Sequence, residues 1–329
     1  MPMTDRIRVA ILGCGRMNRS HVKAFLDLSD LCQVTCAVDV DLARAQEVAS
    51  LTGARAATSL DGLWDEFDAI DICTPHNLHA EQTIEALRRG KHVLVEKPMA
   101  TTPEDAERML QAAEETRKIL MVGYVMRYHT LVAELRRHVV EETYGRPMSV
   151  TMINEGLHIP HSDWLRWKRT RGGGVLFSHG CHYIDLLIWI FGPIRRATCM
   201  RNKIVFDQLE GEETAIVLAE FTSGAIGTFI TSQAMRHGRT GLRVAVNCRS
   251  GRLELDLAAG ELAAYVGENR EILMREPGRK PILEQTKHFL DCIRNNEQPL
   301  TSGRATIHSL EAIWKMYEAD RENRIATVW

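Results

Sequence analysis

The sequence has no apolar run long enough to cross a bilayer. Its longest such run, residues 184–191, is far short of the roughly 20 residues that a spanning helix needs, and it contains Asp185. The sequence also lacks an excess of charge, with 41 Lys and Arg against 43 Asp and Glu. This balance argues against a general nucleic-acid binder and against a polybasic membrane binder. No apolar signal segment stands near the start.

The sequence also lacks a Cys-x-x-Cys pair, although it contains eight cysteines. Several of these cysteines lie in apolar runs, where the side chain behaves as a small hydrophobe. No internal repeat or low-complexity linker is visible. We therefore expect reduced thiols and a cytoplasmic protein, with neither a membrane nor a nucleic acid as its partner.

The first third of the chain alternates short apolar runs with amphipathic helical patterns. This alternation predicts βαβ units and a doubly wound parallel sheet, an α/β fold of the Rossmann type. Proline and glycine mark helix ends, as at Thr102-Pro103 and Gly90. The predicted strands cover residues 7–12, 34–38, 69–73, 93–95 and 119–122, and the predicted helices cover residues 20–28, 42–51, 80–89 and 102–117.

The pattern changes after Tyr124. A helix is predicted over residues 131–140, and a strand follows Pro147. Longer β-type runs, separated by turn signals at Ser223-Gly224 and Ser250-Gly251, then indicate antiparallel hairpins. We expect a first domain over residues 1–124 and a second over residues 125–329, with strands at residues 214–221, 225–231, 242–248 and 253–257 and helices at residues 282–295 and 305–322.

A glycine-rich turn directly follows the first predicted strand. It reads Gly-x-Gly-x-x-Asn, a variant of the dinucleotide fingerprint in which glycines let the backbone approach a pyrophosphate. Asp39 ends the next strand, roughly twenty residues further on, where an acid accepts hydrogen bonds from ribose hydroxyls. Val40 follows, with no arginine there for a 2′-phosphate, so NAD is favoured over NADP. The alternative is a turn that binds nothing; the candidates in it are Gly13, Gly15, Arg16, Met17 and Asn18.

Two further segments follow predicted strands, where ligands bind in parallel sheets. The first contains Thr74, Pro75, His76, Asn77 and His79, and it either lines the cofactor or is only a helix-capping loop. His76 and His79 have no third metal ligand nearby, which argues against a metal site.

Lys97, in the second of these segments, ends a buried strand, and Pro98 stops that strand. A partly desolvated lysine amine has a lowered pKa and shuttles protons near neutrality. The alternative is a surface lysine after a core strand.

A polar stripe interrupts an otherwise apolar helix predicted over residues 177–191. Ser178, His182 and Asp185 would share one face, with His182 as acid or base and Asp185 orienting its ring. The alternatives are a structural histidine and a metal triad of His179, His182 and Asp185.

A basic and aromatic cluster is the candidate substrate site. The alternative is a loop whose charges are solvated and whose tryptophans pack on the second domain. The cluster comprises Arg127, His158, His161, Trp164, Arg166, Trp167, Lys168 and Arg171.

These motifs, in this order, resemble the glucose–fructose oxidoreductase, inositol dehydrogenase and rhizopine-catabolism family (Gfo/Idh/MocA). The similarity extends over essentially the whole chain and rests on Gly13-x-Gly15, Glu96-Lys97-Pro98 and the segment from Gly172 to Asp185. It implies an N-terminal Rossmann domain and a C-terminal α/β domain with an open, mostly antiparallel sheet. It also implies oligomer contacts through the outer face of that sheet, in a homodimer or homotetramer.

The resemblance further implies an NAD(P)-dependent oxidoreductase of sugars, polyols or related alcohols. Lys97 matches the family's catalytic or substrate-orienting lysine, His182 its catalytic histidine and Asp185 its later acid. Glu96 and Lys97 are also assigned to the cofactor site. The Lys97-Pro98 bond is often cis in this family.

One position departs from the family pattern, because Ser178 replaces an aspartate that many members carry. Serine cannot hold a negative charge beside His182. This favours sugars, sugar phosphates or nucleotide sugars over inositol as substrate. We expect His182 to remove a hydroxyl proton and Lys97 to bind the same oxygen, or the reverse. Rival hypotheses are an NAD-dependent glycosidase, a non-catalytic NAD-sensing regulator and a metal enzyme.

Overall fold

The computed structural model describes residues 6–159, 163–167, 172–238, 240–276 and 279–329. The described chain forms two compact units, one ending at Val125 and including Pro281–Thr306, the other comprising Met126–Lys280 and Ile307–Trp329. In the described part of the chain, no helix combines the length and apolarity that a membrane span requires. The helices are α1 (Asn18–Asp27), α2 (Leu42–Thr52), α3 (His79–Arg88), α4 (Pro103–Thr116), α5 (Thr130–Val140), α6 (Val175–Ser178), α7 (Cys181–Phe191), α8 (Ile282–Asn295) and α9 (Gly303–Arg321).

The first unit contains a six-stranded, all-parallel sheet. Its strand order is β3-β2-β1-β4-β5-β6, which confirms the doubly wound Rossmann fold. The strands are β1 (Ile7–Leu12), β2 (Cys32–Val38), β3 (Arg55–Ala57), β4 (Ala69–Ile72), β5 (His92–Val95) and β6 (Leu120–Val122).

Local sequence signals explain the helix ends of this unit. The Asp41 carboxylate accepts a hydrogen bond from the Ala43 N–H at the start of α2, and the Thr102 hydroxyl accepts one from the Asp105 N–H at the start of α4. Pro103 occupies the first turn of α4. Gly53 ends α2 in the left-handed conformation that glycine adopts without strain.

The division of the chain differs from the single boundary expected near residue 124. Residues 281–306 return to the first unit, where α8 packs against α1. The Val122 N–H donates to the Thr301 carbonyl at 2.8 Å, next to the β6 edge. The pattern change marks where the chain leaves the first unit but carries no sign of this return.

The second unit contains a nine-stranded sheet in the order β14-β13-β12-β11-β7-β10-β9-β8-β15. Only the pair of β7 and β10 is parallel among its described strand pairs, so the expected open, mostly antiparallel sheet is confirmed. The strands are β7 (Pro147–Glu155), β8 (Ile194–Asn202), β9 (Thr214–Phe221), β10 (Ile226–Ser232), β11 (Gly241–Cys248), β12 (Arg252–Asp256), β13 (Glu261–Val266), β14 (Asn269–Arg275) and β15 (Ala326–Thr327).

The two faces of this sheet differ in their surroundings. On the inner face, α7 packs through Tyr183 on Phe229, with ring centroids 5.6 Å apart, and through Phe191 on Phe221 at 5.4 Å. The outer face exposes apolar side chains on neighbouring strands, including Ile216 and Leu218 of β9. Alternation along each strand separates the two sets of side chains.

Candidate active site

The glycine turn after β1 adopts the close approach that its sequence suggested. Gly13 has φ +93°, and a Cβ there would lie 2.7 Å from the Cys73 carbonyl oxygen, so a side chain does not fit. A Cβ on Gly15 would meet nothing within 4 Å, which leaves the backbone open to a ligand. Arg16 and Met17 are exposed beside it.

Asn18 begins α1 and is fully buried. Neither its amide nitrogen nor its amide oxygen has a hydrogen-bond partner among the residues that the structure describes. An unsatisfied buried amide is costly, and a helix N-terminus favours an anionic group. The turn therefore fits the phosphates of a dinucleotide, with Asn18 offering a donor and an acceptor.

Asp39 follows β2 and is buried beside this turn. Its carboxylate accepts hydrogen bonds from the Cys14 N–H at 2.8 Å and from the Asp41 N–H at 2.9 Å. One bond to each oxygen fixes the carboxylate and leaves each oxygen a further lone pair for a ribose hydroxyl. Asp39 thus also holds the glycine turn, a role that the sequence motif did not reveal.

The loop after β4 contains residues with different surroundings. The Thr74 hydroxyl donates to the Gln82 amide oxygen at 2.6 Å. His76 is buried in the short 3₁₀ turn His76–Leu78, which follows Pro75, whereas Asn77 is exposed. Thr74 and Pro75 are half-buried, so these two residues and Asn77 are the parts of the loop that a ligand would reach.

His79 does not fit the prediction that it binds the cofactor. It is fully buried, and its ring nitrogens lie 2.9 Å from the Pro98 and Thr74 carbonyl oxygens. Burial lowers the pKa of His79, although the two carbonyls oppose that effect. His79 therefore ties the β4 loop to the loop after β5.

Lys97 stands two residues beyond the end of β5 and is half-buried. The expected cis bond between Lys97 and Pro98 is present. Glu96 is buried, and its carboxylate oxygen Oε2 accepts a long hydrogen bond of 3.3 Å from the Lys97 N–H. Contacts through Cys73, Thr74 and His79 thus connect the glycine turn with the lysine loop along one sheet edge.

In the second unit, the helix expected over residues 177–191 is divided. Helix α6 ends at Ser178, and α7 begins at Cys181. The chain tightens between them, where the Gly180 N–H donates to the Val175 carbonyl at 2.8 Å. A Cβ on Gly180 would lie 2.5 Å from the Leu176 carbonyl oxygen. The prediction of one continuous polar stripe was therefore wrong, because Ser178 belongs to a separate turn.

Ser178 and its turn are held by backbone and carboxylate contacts. The Ser178 hydroxyl donates to the Gly174 carbonyl at 2.9 Å. Glu212 packs directly on Gly174, accepts the Leu176 N–H at 3.1 Å and accepts the Tyr317 hydroxyl at 2.6 Å. Sequence reasoning missed Glu212, and no motif around it signals this role.

His182 lies in the first turn of α7, and its side chain is nearly enclosed. Its ring centroid is 6.4 Å from that of His179 in an edge-on arrangement and 6.2 Å from that of Tyr183. His158 lies 5.3 Å from His179. Three imidazoles and a phenol therefore gather at this end of α7.

Asp185 does not orient His182 as expected, because its carboxylate faces Arg127. The Arg127 Nε and Nη2 atoms lie 2.8 Å and 2.6 Å from the two carboxylate oxygens, in a bidentate pair. Burial raises the pKa of Asp185, and the guanidinium opposes that rise. Arg127 is buried too and stacks over Trp189. The pair with Asp185 thus anchors α7, and substrate binding by Arg127 stays a prediction.

The remaining substrate candidates are only partly visible. Trp164 is half-buried in the short turn Asp163–Leu165, and Trp167 is 43% exposed. Arg166 is half-buried, and its carbonyl accepts the Glu210 N–H. His161, Lys168 and Arg171 lie outside the described residues.

Comparison with known families gives two matches along the chain. Residues 7–124 match the profile of an oxidoreductase family with an NAD-binding Rossmann fold. Residues 132–254 match the profile of the GFO/IDH/MocA C-terminal domain. The chain is 23% identical over 312 residues to a scyllo-inositol 2-dehydrogenase (NAD(+)) of Bacillus subtilis, with 91% of this chain and 90% of the relative covered.

Solved structures give the same result. The WlbA dehydrogenase of Chromobacterium violaceum, in complex with NADH and UDP-GlcNAcA, is 26% identical, with a TM-score of 0.84. That alignment covers 99% of this chain and 96% of the other. A levoglucosan dehydrogenase in complex with NADH and levoglucosan is 19% identical with a TM-score of 0.89, and this likeness concerns the fold alone.

Proposed function

The chain belongs to the Gfo/Idh/MocA family of NAD-binding oxidoreductases, and we propose that it transfers a hydride between nicotinamide and a secondary alcohol or ketone of a sugar, polyol or sugar derivative. One observation carries the proposal. The glycine turn, the β4 loop and the Lys97 loop are joined by contacts at the carboxyl ends of β1, β4 and β5. This arrangement supports a role for the Lys97 amine beside the turn that would hold the dinucleotide.

NAD, when bound, supplies the hydride acceptor, and the protein supplies binding and proton transfer. The turn at Gly13 and Gly15 would hold the pyrophosphate, with Asn18 offering its unsatisfied amide. Asp39 would accept a ribose hydroxyl through the lone pairs that its two backbone bonds leave open. No basic side chain immediately follows Asp39, which supports NAD over NADP.

We assign proton transfer to His182 and Lys97. In oxidation, the substrate O–H proton passes to the His182 imidazole while Lys97 donates a hydrogen bond to the same oxygen and stabilises its alkoxide character. The enclosed position of His182 supports this role, since water competes less there. Asp185 acts indirectly, because its pair with Arg127 anchors the helix that carries His182.

The substrate class is narrowed by two features of the chain. Ser178 replaces an acid that many members of the family carry. The loss of that negative charge is compatible with a negatively charged sugar derivative. The half-exposed Trp167 ring suits the apolar face of a sugar. The similarity to WlbA, which was solved with a nucleotide sugar, supports including such compounds.

The test is a panel of polyols, free sugars, sugar phosphates and nucleotide sugars offered to the protein with NAD⁺. We expect NADH to accumulate, measured by absorbance at 340 nm, with at least one compound. Cleavage of an aryl glycoside without net NADH would support the glycosidase alternative instead. NADH binding with no turnover on any compound would support the regulator.

We further propose that a second copy of the chain covers the outer face of the second unit's sheet. Leu218 and Ile216 of β9 are about half exposed, beside Met200 of β8 and Ile226 of β10. An exposed apolar set on adjacent strands is typical of a protein interface. A two-fold axis would place this patch on itself, which supports a homodimer or a homotetramer built from it.

We also propose a cytoplasmic location. All eight cysteines are free thiols, and all but Cys73 are buried. Free buried thiols are typical of proteins in reducing compartments.

A further inference from the structure

A buried imidazole with two carboxylates lies beneath the cofactor edge of the first unit. His21 of α1 places its Nδ1 atom 3.0 Å and 3.2 Å from the two carboxylate oxygens of Asp71 in β4. Its Nε2 atom lies 3.2 Å from the Glu96 Oε1 atom, at ion-pair distance but without the alignment of a hydrogen bond. The side chains of His21 and Asp71 are at most 1% exposed, and that of Glu96 is 10% exposed.

The two contacts favour a ring that carries a proton on both nitrogens. Each ring nitrogen faces a carboxylate, so both must carry a proton for both contacts to be attractive. Burial is the strongest single effect and opposes a charge on His21, but Asp71 and Cys73 together outweigh it and raise the pKa of His21 well above its usual range. Cys73, the other titratable neighbour, remains a thiol because burial raises its pKa to about 12. The imidazolium thus lies between two carboxylates and offsets one of their two negative charges.

The Glu96 carboxylate connects His21 with the backbone of Lys97. Its Oε1 atom faces His21, and its Oε2 atom accepts the Lys97 N–H. On another side, a Cβ on Gly123 would lie 2.8 Å from Oε1, so a side chain there would displace the carboxylate. The Glu96 carboxylate is therefore confined by His21, Gly123 and the peptide of the residue that follows it.

We propose that His21, as an imidazolium held by Asp71, is a positioning residue that fixes Glu96 and through it the Lys97 peptide. The inference rests on the proposed function in that Lys97 takes part in the reaction. It extends that function by assigning a role to His21 and Asp71, which the proposed proton transfer does not use. His21 is thus distinct from the proton carrier His182.

The alternative to a buried imidazolium is a metal ion bound by the same side chains. The ligand atoms of His21, Asp71 and Cys73 lie within 4.8 Å of one another, a spacing that also suits a metal. The second carboxylate, that of Glu96, adds a negative charge beside the ring and so favours the imidazolium. Metal analysis of the purified protein by mass spectrometry should find no stoichiometric ion, and one ion per chain would overturn the proposal.

The decisive variant is Asp71→Asn, which keeps the shape of the side chain and removes the charge that holds the imidazolium. Burial then dominates, so His21 loses its proton as the pH rises. We expect kcat of the variant to fall by about ten-fold or more between pH 6 and pH 9. The fall should follow a single titration, that of His21, which the wild type does not show in this range. The Kd for NADH should change less than three-fold. A purely structural Asp71 would lower kcat equally at every pH.

Two measurements on the protein itself do not depend on turnover. Nitrogen-15 NMR of histidine-labelled wild type should show both His21 ring nitrogens protonated at pH 8. Amide exchange of Lys97, corrected for intrinsic rates, should quicken at high pH in Asp71→Asn and at all pH values in His21→Gln. The exposed Asp30→Asn serves as the matched control.

The outcomes separate the inference from the proposed function. A His21 ring with one proton at pH 8, or unchanged Lys97 exchange in both variants, overturns the positioning role. The absence of turnover on every compound defeats the proposed function, while the NMR and exchange results still decide the role of His21. If neither variant folds, the wild-type NMR result decides it alone.

Discussion

At the scale of single residues, Gly13 and the Lys97-Pro98 bond adopt special backbone geometries, whereas His79 and Asp185 are held by partners distant in sequence. Gly13 and the cis bond at Lys97 are found as expected, since each depends on backbone geometry that a few neighbouring residues determine. His79 and Asp185 were assigned to ligand and proton chemistry, but the fold uses them to hold loops and helices. A partner 58 residues away, such as Arg127 for Asp185, leaves no local signal.

Asp39 provides a test at this scale. Asp39→Asn removes the charge that would accept the ribose hydroxyls and replaces one acceptor with a donor. Hydrogen bonds to charged groups are worth about 1.5–3 kcal/mol, so the Kd for NADH should rise about ten-fold or more. The Kd for NADPH should change less, because the lost charge also repels a 2′-phosphate.

Cofactor-fluorescence titration of both nucleotides measures these changes. Asp30→Asn, an exposed acid on the same unit, is the control and should bind both nucleotides as the wild type does. A wild type that prefers NADPH, or an Asp39→Asn variant with unchanged NADH affinity, would show that Asp39 does not read the ribose.

At the scale of elements, periodicity predicted the strongly amphipathic segments well. Helix α8 and strand β9 have the bounds that their patterns predicted. The short edge strands β3 and β15 carried too few residues for a pattern, and β14 is mostly exposed and so lacks alternation. The break between α6 and α7 falls at His179 and Gly180, and the apolar residues on both sides of it suggested one continuous helix.

Gly180 tests the importance of that break. Gly180→Ala places a Cβ against the Leu176 carbonyl, and overpacking of this kind costs about 1–3 kcal/mol. Since His182 lies two residues on, we expect kcat to fall by about ten-fold or more through its displacement. Denaturant unfolding and steady-state turnover measure the two effects.

Gly267→Ala is a comparison variant for this test. Gly267 has φ +60°, so alanine there is also strained, but it lies in the turn between β13 and β14 and a Cβ meets nothing within 4 Å. It should lose stability while keeping kcat. Equal kcat in Gly180→Ala and the wild type would mean that the break does not position His182.

At the scale of the whole molecule, the sequence predicted two folding units but not their composition. The return of residues 281–306 to the first unit depends on a backbone bond between Val122 and Thr301 and on packing between α1 and α8. Such pairings join segments far apart in sequence, which no local pattern encodes. Oligomer contacts through the outer face of the second sheet, by contrast, were expected from the family resemblance alone.

That face gives the prediction at this scale. Leu218→Lys places a charge in the centre of the proposed interface, where it would be desolvated without a partner. We expect the mass measured by light scattering to fall from that of an oligomer toward that of one chain. Leu51→Lys, on a residue 66% exposed in the first unit, should leave the mass unchanged. A monomeric wild type, or a Leu218→Lys variant of unchanged mass, would contradict the proposal.

The central claim is that Lys97 and His182 act on one substrate oxygen, and a double-mutant cycle in kcat tests it most directly. Lys97→Met and His182→Ala should each lower kcat about 100-fold or more, while both variants still bind NADH. Groups that act as a unit are not additive, so the double variant should lose little beyond the worse single variant. The exposed Lys287→Met and His237→Ala are the controls. Near-wild-type turnover in either single variant, or losses that simply multiply, would contradict the account.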